Sequence, residues 1–196
     1  MNTPPPSTVP SPENLAQLDA ARKAAKKIRS TLHFAYFDGW SAAAIAAVSI
    51  PFCLTSVSGL LLCLGMAYIA WSELSSAAAL KRLDALAPRR LAVNQLIFSG
   101  ILILYFGWSL IVSLTTPSDD AGLIASAGDA IGIGGGNMDH LARVLNISIY
   151  GGLILLSILF QGGAARYYYS RIKIVKDYLA TTPQWIIDYQ RGGGTL

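Results

Sequence analysis

The sequence predicts an all-α integral membrane protein: four transmembrane helices, the first two a tight helical hairpin, flanked by amphipathic cytoplasmic helices. Three observations carry that reading. The 196 residues are 53% hydrophobic and only 13% charged, about half the charged share of a soluble domain, which is roughly 25%. The apolar residues fall in runs long enough to cross a hydrocarbon core of roughly 30 Å. The 15 lysines and arginines cluster at the ends of those runs rather than within them, as the positive-inside rule requires.

The first ten residues include Pro4, Pro5, Pro6 and Pro10 and read as a disordered tail (1–10). Met1 to Pro12 lacks the basic region and apolar core of a signal peptide. A basic amphipathic cytoplasmic helix is expected over 11–31. Ser11 stands as N-cap, Pro12 at the first helical position and Glu13 in the first turn. Leu15, Leu18, Ala21, Ala25, Ile28 and Leu32 recur at steps of three and four, and lysines and arginines fill the other faces. Such a helix lies on the membrane surface or packs on another cytoplasmic helix.

From Phe34 to Trp71 the chain is almost wholly apolar. As one helix it would run about 57 Å at 1.5 Å per residue, nearly twice a bilayer core. Folded around Thr55–Gly59 it gives two spans, near 34–54 and 59–77. Charge decides for the fold-back: a single pass would carry Lys81, Arg82, Arg89 and Arg90 to the side opposite the basic N-terminal helix. Pro88 is expected to break the chain after a short helical extension. Spans three and four follow near 91–114 and 144–165, closing a transmembrane domain over 32–165. Fourteen of the fifteen basic residues then share one side, and Arg143 alone joins the outer loop 115–143, which carries four aspartates.

That loop is expected to hold a short interfacial helix and a turn at Gly134-Gly135-Gly136-Asn137. The cytoplasmic C-terminal segment, 166–196, is basic and aromatic. It should continue span four as a helix to about Ala180, then start a last helix with Thr182 as N-cap and Pro183 at the first position. Its tyrosines, from Tyr167 to Tyr169 onward, suit the headgroup level. Trp40, Trp71, Trp108 and Trp185 are the expected membrane-interface anchors.

Candidate chemistry is sparse. Asp38 and Glu73 mirror each other across the proposed turn, so they stand at similar depth on neighbouring helices. A carboxylate in an apolar span is costly and marks a possible site for a cation or proton. The simpler alternative places each at the interface, solvated or paired with Arg29, Lys81 or Arg82. Asn94 and Gln95 could complete a polar cluster with these carboxylates, or act as interhelical hydrogen-bond glue. Gln161, Gly162 and Gly163 could face the same region, and Gly151-Gly152 suits close helix packing.

No cofactor or metal is expected. His33 and His140 fall on opposite sides of the membrane and cannot share haem or zinc. The glycine-rich stretch lacks the Lys-Ser/Thr of a phosphate loop. Cys53 and Cys63 differ in depth by roughly 7 Å at 1.5 Å per residue, which disfavours a disulfide. The net charge of +4 resides in clusters beside apolar runs, so anionic lipid, not nucleic acid, is the nearer partner. No catalytic motif is present, and a non-enzyme is expected. The functional expectation is an accessory or scaffolding subunit of a larger assembly, bound to other membrane subunits or to itself. The bacterial inner membrane, with both termini cytoplasmic, is its expected location. The alternative is a small oligomeric channel or transporter using Asp38 and Glu73 near the cytoplasmic mouth.

Overall fold

The computed structural model of this chain describes residues 11–53, 57–115 and 138–192. Six helices occupy them: α1 (Pro12–Ala24), α2 (Lys26–Cys53), α3 (Val57–Lys81), α4 (Ala87–Thr115), α5 (Met138–Thr181) and α6 (Gln184–Arg191). No strand occurs among the described residues. The expected proline-rich tail, the turn at 54–56 and the glycine turn and short helix of the outer loop lie outside them.

Among the described residues, three helices are long and apolar enough to cross a membrane: Gly59–Lys81 within α3, Ala87–Thr115, which is α4, and Arg143–Thr181 within α5. α2 is not among them. Tyr36, Asp38, Trp40 and a run of alanines and serines dilute its hydropathy, because alanine contributes far less than leucine or isoleucine.

Local chemistry explains most helix ends. The Ser11 hydroxyl accepts the Asn14 N–H at 3.2 Å and caps α1. α1 and α2 are separated only by Ala25, across which Ala25 N–H to Ala21 O and Arg29 N–H to Ala25 O keep the ladder running. The apolar stripe divides there. Leu15 is exposed, whereas Ala21, Ala25, Ile28 and Leu32 are buried against protein.

α3 ends in a Schellman-type motif. Leu83 adopts φ 58°, its N–H reaches Leu80 O, and the Asp84 N–H reaches Ala79 O. Glycine usually fills this left-handed position; here the leucine side chain is fully buried, which offsets the backbone cost. The Asp84 carboxylate then accepts the Leu86 N–H at 2.9 Å. The break therefore lies at 82–86, and Pro88 corrects the expectation: it sits in the first turn of α4, where its missing N–H costs nothing. α6 brings a second correction. Pro183, not Thr182, occupies its N-cap, with no side-chain cap bond.

α2 and α3 run in opposite directions side by side. Gly39 of α2 lies against Leu74 of α3, and the Cys63 thiol points at Ala46 O, 3.8 Å away. α3 and α4 are likewise opposed, with Glu73 beside Asn94 and Gly65 beside Ile101. Thr31 meets Tyr167 and Arg191 reaches Arg82 O, so Arg29, Lys81, Arg82, Arg89, Arg90 and Arg171 gather at one end of the bundle.

The apolar core lies at that basic end. Ile28, Leu32, Leu80, Leu83, Leu91, Tyr168, Val175, Tyr178 and Ile187 form one buried cluster drawn from five helices and the α3–α4 link. Tyr178 donates its hydroxyl to Gln190 Oε1 at 2.9 Å, pinning α6 onto α5. In the far half, α4 has no buried residue beyond Ser99.

Candidate functional site

At the upper margin of this core, three helices contribute four polar side chains to one cluster. Asp38 of α2 precedes Gly39, and the glycine sets the approach. A Cβ there would meet Leu74 at 3.0 Å and the Glu73 Cβ at 3.2 Å. Only a residue without a side chain lets α3 come this close and bring Glu73 beside Asp38.

Asn94 and Gln95 are neighbours on α4, and both point into the bundle. Asn94 Nδ2 donates to Glu73 Oε1 at 2.8 Å and to Ile69 O at 3.4 Å. Gln95 Nε2 donates to the same Glu73 oxygen at 3.0 Å and also to Asp38 Oδ2. One amide thus bridges two carboxylates on two helices. Glu73 is 1% exposed, and Asn94 and Gln95 2% each.

Glu73 is shut off from solvent by protein, and its Oε1 accepts from Asn94 and Gln95. The ion pairs seen, Arg22–Asp19 and Arg90–Asp84, lie elsewhere. Asp38 is joined to Glu73 through the shared Gln95 amide. Removing a carboxylate from water costs several kcal/mol, and two charge-assisted hydrogen bonds return about 1.5–3 kcal/mol each. That return explains how the cluster is tolerated but leaves it incompletely satisfied: Glu73 Oε2 and Asn94 Oδ1 are buried with no hydrogen-bond partner. Two acidic groups with spare acceptor oxygens can take a proton, a small cation or water. No group of three metal-ligating side chains occurs among the described residues.

Beside the cluster stands an aromatic layer. Phe34 of α2 packs on Tyr167 and Tyr168 of α5, with ring centroids 5.4 and 5.7 Å apart. The Arg171 guanidinium lies 4.4 Å from the Tyr167 ring centre, a cation–π contact. Tyr168 is fully buried, and its hydroxyl has no hydrogen-bond partner. Tyr168 and Tyr178 are core residues, while Tyr169 is exposed. Steps of three and seven from Ala165 through Tyr168, Val175 and Tyr178 were the available signal.

Other candidates stay apart. Gln161 Oε1 is buried without a partner and bonds to no member of the cluster. Among the described residues, Gly151, Gly152, Gly162 and Gly163 have nothing within 4 Å of where a Cβ would stand, so no described helix packs closely on them. Trp40, Trp71, Trp108 and Trp185 are all exposed.

Comparison of the chain with protein-family models, curated proteins and solved structures returned no match.

Proposed function

We propose that this chain is a non-enzymatic accessory or scaffolding subunit of a larger assembly in a bacterial inner membrane. α2 serves as a fourth span and forms a hairpin with α3, and both termini are cytoplasmic. The antiparallel contact of α2 with α3 and the gathering of basic clusters at one end support this topology, since such clusters are retained on the cytoplasmic side.

The observation that carries the scaffolding reading is uneven coverage. In the most apolar stretch of α4 and of α5 only 6% of residues are buried, against 33% in α3. Gly100 and Gly107 of α4 and Gly151 and Gly152 of α5 face open space. Small residues on bare helix faces are what close helix association in lipid uses. The chain completes its own packing at the basic end and leaves the remainder for neighbours. Extraction from native membranes in mild detergent, followed by native mass spectrometry, should give a mass above that of one chain. A monodisperse single-chain mass overturns the reading.

The unpartnered oxygens of Glu73 and Asn94 favour a second reading, an oligomeric transporter in which Asp38 and Glu73 hold a proton or small cation near the cytoplasmic mouth. Liposome flux should then fall in Asp38→Asn and Glu73→Gln. Absence of flux in the unmodified protein removes it.

A further inference from the structure

The seam between α3 and α4 holds a cavity of about 510 Å³ at its basic end and a second of about 650 Å³ further along. α4 lines the first with Arg90, Asn94 and Ile97 and the second with Ile101, Leu104 and Trp108. Those positions follow one another at steps of three and four and so share one helix face. On α3 the same holds for Leu62, Gly65, Tyr68, Ser72 and Ser76. The two cavities are therefore successive lengths of one groove.

Its chemistry is graded along the helix axis. Arg89 and Arg90 stand at the mouth, with the hydroxyl-bearing Ser72, Ser75 and Ser76 opposite. Tyr68 and Trp71, whose rings lie 6.2 Å apart, come next in the wall. Beyond Ile97 the lining is leucine, isoleucine, tyrosine and tryptophan around Gly65. Charge at the mouth is unbalanced: Arg90 pairs with Asp84 at 3.3 Å, while Arg89 forms no ion pair among the described residues. Both arginines are solvent-exposed.

We propose that this groove binds an anionic phospholipid, its phosphate held by Arg89 and Arg90 and the serine hydroxyls, its acyl chains laid along Gly65 and Ile101. The inference rests on α3 and α4 crossing the bilayer. Arg89 to Ile101 covers about 18 Å at 1.5 Å per residue, against roughly 15 Å for one hydrocarbon leaflet. The order of charge, hydroxyl, aromatic and apolar surface is that of the lipid itself. A basic recess between spans is a recognised seat for acidic headgroups.

The full-length protein, delipidated in detergent, is titrated with phosphatidylglycerol or phosphatidylcholine of identical chains and read by native mass spectrometry. The unmodified protein should prefer phosphatidylglycerol by about fivefold to twenty-five-fold, since each exposed basic residue near an anionic surface is worth about a factor of five and Arg90 is already paired with Asp84. Arg89→Gln/Arg90→Gln should abolish the preference while keeping the elution volume and helical signal. Ile101→Trp, which blocks the chain-bearing length, should weaken both lipids. Equal affinity for the two lipids in the unmodified protein, or a preference that survives the double substitution, overturns the proposal. Resistance to alkaline extraction from membranes, measured on the same variants, tests the membrane-crossing premise separately.

Discussion

The basic half of the bundle and the far half are made from the same helices under different rules. At the basic end, five helices and the α3–α4 link interlock around Ile28, Leu83 and Tyr168, all essentially inaccessible. Toward the far end, Leu104, Trp108, Ile111, Leu155, Leu159 and Phe160 are largely exposed. Water drives the first arrangement, because each buried Å² of apolar surface returns about 25 cal/mol. Hydrocarbon removes that drive in the second, since lipid tails are as apolar as leucine. The contrast teaches that this chain folds as a headpiece carrying apolar helices rather than as a bundle packed evenly along its length.

The largest test of that contrast compares truncations in the two halves. Tyr168→Ala should cost about 3–5 kcal/mol and Ile28→Ala about 2–5 kcal/mol, read by denaturant unfolding in detergent. Phe160→Ala and Leu104→Ala should stay within about 0.5 kcal/mol. Equal losses in the two halves would break the comparison.

The polar cluster at the boundary comes next. Glu73→Leu leaves two buried amides without their shared acceptor and should cost about 1–3 kcal/mol, most of it recovered in Glu73→Gln. A Glu73→Leu variant as stable as the parent would show that the cluster braces nothing. Glycines sharpen the contrast further. Gly39→Ala pushes a methyl group against Leu74 and Glu73 and should cost about 1–3 kcal/mol. Gly100→Ala meets open space and should stabilise the single chain by up to about 1 kcal/mol through helix propensity. The most local effect is expected from Ser11→Ala, about 1 kcal/mol or less and confined to α1. Hydrogen exchange should quicken around Asn14 and stay unchanged in α4.

Much of the helical pattern was legible because apolar runs, caps and basic clusters are local signals. Ser11, Pro12 and Glu13 specified the start of α1 without reference to any neighbour. Asp38 and Glu73 could be grouped from mirror spacing, and Asn94 and Gln95 joined them as polar residues one turn above Arg89 and Arg90. Their mutual contact depends on Gly39, whose role appears only when a second helix lies against it. The end of α3 was misread because Pro88 is a strong signal and a leucine in the left-handed region is none. Tyr168 was hard to place for a related reason. Aromatic residues near a basic cluster suit headgroups and protein cores equally, and only the packing of Phe34 separates the two.

One further consequence attaches to α5. Its 44 residues form a single helix, about 66 Å from end to end, with one end among the bare surfaces and the other clasped by α2 and α6. Such a rod ties its bare far end and the Tyr167 and Tyr168 rings, packed on Phe34 of α2, into one continuous element.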